Sequence, residues 1–213
     1  MVIVKWHGHA CVEIVKNDGY VIVIDPHDGG SIGLKKPDVK ADLVLVTHEH
    51  FDHNSVETVS KESTRVLRVF HGETIIDNIV VRGYKTYHDK YEGRRRGINT
   101  IYYLLINSFK IVHLGDLGHI PSDELINEIH GVDLLIIPVG GTYTIYPDEA
   151  WRIIEIVKPV NVLPIHYWIR GLTLPLFSIE EFLPYVKEYE VIRLETNSFD
   201  LSKFHNSIII PSV

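Results

Sequence analysis

Short apolar runs separated by turn-forming residues recur along this chain. Residues 2–5 and 11–16 read as strands, and the tight turn Asn17-Asp18-Gly19 leads into a third at 20–24. Asp25-Pro26 stops that strand, because proline removes a ladder donor. Residues 42–46 form the next strand, and Asn54 or Ser55 caps a short helix that ends at Ser60. A strand at 65–70 follows, then a hairpin or pair of strands over 74–87. Residues 98–106 and 109–113 flank the turn Asn107-Ser108. From there the pattern changes. Residues 121–130 read as a helix with acidic residues in its first turn, where the helix dipole favours them. Residues 132–137 and 160–165 read as buried strands around a helix at 147–157, which opens on Pro147 and closes at Lys158-Pro159. A helix at 179–188 and strands near 191–194 and 207–210 complete the series. Strands early and strand–helix units late predict mixed sheets covered by helices, an α/β or α+β layered fold. No Pro-, Gly- or Ser-rich linker divides the chain, so residues 1–213 are expected to form a single domain.

Composition narrows the function. The chain has 213 residues, 45% hydrophobic and 23% charged, enough to bury a core without disulfides or a structural metal. The apolar runs are strand-sized and too short for a membrane span. Lys5, His7, His9 and Glu13 interrupt the N-terminal apolar residues, unlike a signal peptide. Cys11 is the single cysteine, which suits a reducing compartment, so a cytoplasmic location is expected. A net charge of −7 argues against binding long duplex nucleic acid. Arg94-Arg95-Arg96 is a local cationic exception. Thirteen histidines beside one cysteine favour imidazole and carboxylate metal chemistry over thiolate sites.

The histidines cluster in Thr47-His48-Glu49-His50-Phe51-Asp52-His53, directly after an apolar strand. A strand alternates faces, and a helix gathers positions three and four apart. Neither aims His48, His50, Asp52 and His53 inward together, whereas a loop at a strand end does. Their donor types suit Zn(II), Fe(II) or Mn(II). His88, Asp116 and His166 sit at comparable places, just beyond expected strands. Ligands at the carboxyl ends of several strands converge on one rim, where layered α/β folds bind substrates.

The ordered set of the HxHxDH run, His88, Gly115-Asp116 and His166 resembles the metallo-β-lactamase superfamily. More narrowly, it resembles a branch of small prokaryotic metal-dependent hydrolases related to L-ascorbate-6-phosphate lactonase. Matching phrases extend from Trp6-His7-Gly8-His9-Ala10 to Pro164-Ile165-His166-Tyr167. The resemblance implies a four-layer αββα sandwich, two mixed sheets flanked by helices, with a binuclear site on its edge. It assigns His48, His50 and His88 to a first metal and Asp52, His53 and His166 to a second, with Asp116 bridging. His113 is a rival to His88, or else a packing residue behind the ligands. Two divalent ions about 3.5–4 Å apart share a hydroxide that attacks a phosphoryl or carbonyl centre. Zn is the expected metal, with Mn, Ni or Fe as alternatives.

The expected substrate is a small anionic molecule, a phosphodiester or a phosphorylated lactone or ester. Asp52 orients the hydroxide. Asp25 is read either as the acceptor that fixes a ligand histidine or as a turn-former before Pro26. His9 and His119 are candidates for proton transfer or substrate contact, with core packing as the alternative for His9. Arg94, Arg95 and Arg96 are candidates to clamp an anion, against a solvated charge run for at least two of them. Tyr143 and Tyr167 are candidates to offer a hydroxyl to substrate, and Gly140-Gly141 to let backbone approach the site. His7, His27, His71, His130 and His205 are assigned to structure or surface. Two other functions are open: an iron-dependent redox enzyme on the same fold, or a non-catalytic metal-binding module. Homo-oligomerisation is left open.

Overall fold

The computed structural model describes residues 1–213. The chain begins with β1 (Val2–Trp6), β2 (Val12–Lys16), β3 (Val21–Ile24), β4 (Ala41–Val46), the one-turn α1 (Val56–Val59) and β5 (Ser60–Arg68). Then come β6 (Gly72–Ile76), β7 (Ile79–Tyr87), β8 (Ile98–Ile106) and β9 (Phe109–His113). The later part alternates through α2 (Asp123–Glu128), β10 (Leu134–Pro138), α3 (Pro147–Val157) and β11 (Asn161–Ile165). It ends with β12 (Glu190–Arg193), β13 (Ser198–Asp200) and β14 (Ser207–Ile210).

These strands make two mixed sheets. One has six strands in the order β13-β1-β2-β3-β4-β5, the other eight in the order β12-β14-β11-β10-β9-β8-β7-β6. The strand period of two sorts residues between layers. Ile22, Ile24, Leu43 and Leu45 face the core between the sheets. Val23, Val44 and Val46 point the other way, where Val56 and Val59 of α1 cover them. Both faces are thus dry, which is why β3 and residues 43–46 of β4 are unbroken apolar runs instead of alternating ones. On the second sheet, parallel β9, β10 and β11 are joined through α2 and α3, and every residue of β10 and β11 is buried. The arrangement is the two-sheet sandwich flanked by helices that the sequence predicts.

Helix α3 forms for local reasons. Pro147 lies in its first turn, where no N–H is needed, and Glu149 accepts a hydrogen bond from the Tyr146 N–H at 3.0 Å. Its buried stripe includes Ala150, Trp151, Ile154 and Val157, and burying a side chain such as Ile154 stabilises by about 1.5–3 kcal/mol. Lys158 then turns left-handed (φ 50°) and Pro159 prevents continuation.

The structure departs from the sequence reading at several elements. The helix expected over 179–188 is two 3-10 turns, Ile179–Glu181 and Leu183–Tyr185. Pro184 lacks the N–H an α-helix needs there, and its ring clashes with the carbonyl one turn back. The helix expected over 121–130 is confined to Asp123–Glu128, with the Ser122 hydroxyl accepting from the Leu125 N–H. β5 begins five residues earlier than expected, and the three-residue β13, which pairs with the edge of β1, was not anticipated. No helix is long and apolar enough to cross a membrane.

Candidate metal centre

The polar residues singled out in the sequence gather where strands end. Asp25 follows β3, the stretch Thr47 to His53 follows β4, and His88 follows β7. Asp116 lies three residues past β9, His166 directly follows β11, and His9 lies three residues past β1. The Asp116 carboxylate is the hub. Its Oδ2 lies 3.1 Å from His166 Nε2, 3.2 Å from His88 Nε2, 3.3 Å from His53 Nε2 and 3.8 Å from His48 Nε2. On one side, His48, His50 and His88 bring ligand atoms together; on the other, His9, Asp52, His53 and His166 do. His50 stands at the exposed mouth, its ring 4.6 Å from that of His48 and 5.1 Å from that of His88.

Buried hydrogen bonds fix which nitrogens face the cluster. Asp25 Oδ1 accepts the Thr47 N–H at 2.7 Å, and Oδ2 accepts the Thr47 hydroxyl at 2.7 Å. With its only proton given to Asp25, the Thr47 oxygen serves as acceptor for His48 Nδ1–H at 2.9 Å. The His48 Nε2 lone pair therefore points at the cluster, where it has no hydrogen-bond partner. His53 donates Nδ1–H to Asp25 Oδ2 at 3.1 Å, which likewise turns its Nε2 inward. One carboxylate and one hydroxyl thus orient two imidazoles, the outer support that metal-binding histidines need.

The electrostatics are those of a site short of positive charge. Burial disfavours a charged His53, but the facing Asp116 and Asp52 carboxylates outweigh it and push its pKa well above the ordinary imidazole value. Burial, reinforced by the neighbouring His53, drives His48 well below it. Asp116 Oδ1 is buried without a partner. Inward lone pairs, an orphaned carboxylate oxygen and nitrogen–oxygen spacings of 3.1–3.8 Å fit divalent cations. Ligands about 2.0–2.1 Å from a tetrahedral ion stand at comparable distances from one another. The donor set contains no thiolate, since Cys11 lies in the cluster beneath α1.

The backbone makes unusual turns to deliver these groups. His9, Asp25 and His166 have φ of 51°, 50° and 53°, the left-handed region that residues with a Cβ rarely occupy. Gly115 has φ 57°, and a Cβ there would lie 2.3 Å from Asn99 Oδ1 and 2.8 Å from Thr47 Cβ. That contact is the point of the turn: Asn99 Oδ1 accepts the Asp116 N–H at 2.9 Å, while its amide donates to the Leu114 carbonyl and to Thr86 Oγ1. A Cβ on Gly140 would come within 2.0 Å of the His166 carbonyl, so backbone does approach backbone closely there.

Around the cluster is a cleft of about 300 Å³, lined by Phe51, Tyr143, Leu174 and Arg96 together with His50, Asp52, His88, Asp116 and His166. Among the three arginines only Arg96 lines it, its guanidinium 4.7 Å from the Tyr143 ring. Arg94 is solvated beside Glu92, and Arg95 stacks on Tyr91. The Asp89 carboxylate shapes this loop by accepting the N–H groups of Tyr91, Gly93, Arg95 and Arg96. Burial opposes its ionisation, but those donors outweigh it and hold its pKa below the usual range.

Several candidates lie away from the open cleft, His9 and His113 in the buried positions already weighed for them. His9 is fully buried behind Asp52, with Nε2 3.0 Å from Asp52 Oδ2 and 3.2 Å from His53 Nε2, so it touches the cluster and not the open cleft. His119 is not brought to the cluster: one ring nitrogen accepts the Tyr87 N–H and the other donates to the Ile120 carbonyl. His113 also uses both nitrogens on backbone, donating to the Ala10 carbonyl and accepting the Gly115 N–H. Tyr167 packs on Trp6 and lines a different cavity. Thr47, Asn99 and Asp89 were not singled out as site residues, nor were Phe51 and Leu174. A threonine directly before a histidine run is the one available signal, and it does not reveal Asp25 as the partner.

Comparison with known proteins shows the family and the fold. Residues 3–166 match the β-lactamase superfamily domain. A metal-dependent hydrolase of Thermococcus onnurineus is 31% identical across 78% of this chain and 85% of its own. One from Thermoplasma acidophilum is 30% identical across 76% and 81%. A solved Thermotoga maritima structure, assigned to the Zn-dependent hydrolases of the metallo-β-lactamase superfamily, superposes with a TM-score of 0.79. It covers 99% of this chain and 98% of its own at 29% identity. The chain belongs to the metallo-β-lactamase superfamily.

Proposed function

We propose that this cleft is the active site of a metal-dependent hydrolase with two divalent cations, Zn foremost, acting on a small anionic phosphodiester or phosphorylated lactone or ester. The observation that carries the reading is the Asp116 carboxylate, with four imidazole Nε2 atoms within 3.8 Å of one oxygen and a ligand cluster on either side. In this reading His48, His50 and His88 would hold one cation, Asp52, His53 and His166 the other, and Asp116 would serve both. Such cations would supply a deprotonated water at neutral pH and positive charge for the developing oxyanion.

The chain's own residues do the rest. Asp52, on the cleft wall, orients the attacking water by accepting a hydrogen bond from it, and His9 holds Asp52 from behind. Arg96 binds the anionic group of the substrate. Phe51, Tyr143 and Leu174 keep water from its apolar part. A cleft near 300 Å³ with a single arginine favours a small substrate. We read residues 1–213 as one domain working in the cytoplasm, where a lone buried thiol such as Cys11 stays reduced.

The test is turnover of bis(p-nitrophenyl) phosphate by metal-stripped protein reconstituted with Zn, Mn, Ni or Fe. Metal-dependent turnover that His50→Ala abolishes supports the reading. Metal binding without turnover of this diester or of a phosphorylated lactone counts against it.

A further inference from the structure

His9 is the one histidine of the cluster to which the hydrolytic reading gives no cation, only the task of bracing Asp52. Its geometry indicates more than that. Buried histidines outside the cluster give ring nitrogens to the backbone. His27 Nε2 donates to the His7 carbonyl at 3.1 Å, and His113 Nε2 to the Ala10 carbonyl at 3.0 Å. The His9 ring bonds no backbone. Its Nε2 faces Asp52 Oδ2 at 3.0 Å and His53 Nε2 at 3.2 Å, and its Nδ1 is buried without a partner. His88 and His166 follow the same pattern, with Nε2 toward the cluster and Nδ1 unpaired.

Three separations define a donor set. His53 Nε2 lies 3.5 Å from Asp52 Oδ2, so with the 3.0 and 3.2 Å distances to His9 the three atoms form a nearly regular triangle. Ligands about 2.0–2.1 Å from a tetrahedral ion stand about 3.3–3.4 Å apart, the edge of such a triangle. Because His53 gives its Nδ1–H to Asp25, its Nε2 lone pair faces His9 Nε2. His166 completes the group, all of whose ligand atoms lie within 4.8 Å of one another. The backbone fixes the ring in place: the His9 carbonyl accepts the Trp6 indole N–H at 2.9 Å and the His166 N–H at 3.0 Å. His9 and His166 share a left-handed φ, 51° and 53°, a strained conformation that persists where side chains must be aimed.

We propose that His9 is itself a ligand of the inner cation, beside Asp52, His53 and His166, and that it makes the two metal sites unequal. The inference rests on the two-cation reading above. His9, His53 and His166 are 0%, 0% and 1% exposed, so the inner site is closed to solvent. The outer set of His48, His50 and His88 has one exposed member, His50, and opens on the cleft. A site closed by protein ligands holds its ion as structural sites do, whereas an open position leaves room for water or substrate. The inner cation is therefore the first to bind and the slower to leave. The outer one is exchangeable and meets the substrate.

Two measurements made without substrate test this. Full-length protein carrying ¹⁵N-histidine and saturated with ¹¹³Cd should show six imidazole nitrogens coupled to cadmium, against five if His9 only braces Asp52. Competition for Zn with a fluorescent chelator should resolve a tight and a weak step in the wild type. His9→Gln keeps an N–H for Asp52 and lacks the imidazole. Its tight step should weaken by at least about 100-fold, more than the loss of an outer support costs, while the weak step persists. Melts of stripped protein check that the variant folds, and the cadmium count in the wild type stands whether or not it does. Five coupled nitrogens, or an unchanged tight step in His9→Gln, overturns the proposal. Two bound cations and turnover with only five couplings leave the hydrolase reading standing without this one, and six couplings without turnover do the reverse. Protein that binds neither metal overturns both.

Discussion

Thr47 joins Asp25 to His48 through one hydroxyl that donates to the carboxylate and accepts from the imidazole. Replacing it with valine keeps the shape and removes both bonds. Thr47→Val is expected to lose about 1–3 kcal/mol of stability, because Asp25 and His48 are left short of partners in a buried setting. Metal affinity should fall by about 10–100-fold, the usual effect of losing an outer support of a ligand. Denaturant melts of stripped protein and competition with a chelator measure the two separately, and unchanged chelator competition would contradict the relay. At this scale the sequence was informative about His48, His50, Asp52 and His53, because their density after a strand leaves little else for them to do. It was silent about Asn99, whose amide braces a turn 15–17 residues further along the chain. His119 and Tyr167 lie away from the cluster, since a residue near a strand end in sequence points wherever local backbone sends it.

Strand ends, more than strands, position the cluster, and their turns tolerate little change. Gly115→Ala puts a Cβ into Asn99 and Thr47 at a left-handed φ. A loss of at least about 2 kcal/mol is expected, together with weakened metal binding as Asp116 is displaced. A melt indistinguishable from wild type would show that the turn relaxes freely. In the loop after His88, Asp89→Asn removes the charge that four backbone N–H groups point to. It should cost about 1–2 kcal/mol and raise KM more than it lowers kcat, because Arg96 is carried by that loop.

Lys5 of β1 and His7 just past it flank Glu13 of β2 at 2.7 and 2.8 Å. Burial alone would raise the Glu13 pKa, but these partners hold it below its ordinary 4.5. The resulting stability is present above that value and lost as pH falls through the lower folded-state value. Glu13→Gln should therefore be less stable than wild type at pH 7, with the gap closing in acid below 4.5. A constant difference across that range would contradict the ion cluster. Elements were legible in sequence where period and punctuation agree, as in α3. They were not where a single proline overrides an otherwise helical stretch, as Pro184 does.

At the scale of the molecule, one continuous core between the two sheets holds the fold, and the cleft sits on the rim where ligands from both sheets meet. β4 in one sheet supplies Thr47 to His53, while β7, β9 and β11 in the other supply His88, Asp116 and His166. A cation held by both sets of residues would tie the sheets together and, binding the folded state in preference, would stabilise it by mass action. Stripped protein is expected to keep its secondary structure and to melt several degrees lower, with a difference that grows with free metal concentration. Identical melts with and without metal would mean that the ligands do not converge as described. The layered fold was readable from the order of strands and helices. The pairing of particular ligands across sheets was not, because it depends on contacts remote in sequence.

Titration of metal-stripped protein with Zn, read as turnover of bis(p-nitrophenyl) phosphate against bound metal per chain, tests the proposed binuclear hydrolytic centre most directly. Activity should appear as the second equivalent binds and saturate at two, and Asp116→Ala should bind less metal and turn over nothing while keeping its circular dichroism. Full activity at one equivalent, or wild-type turnover in Asp116→Ala, would contradict a centre built on that shared carboxylate.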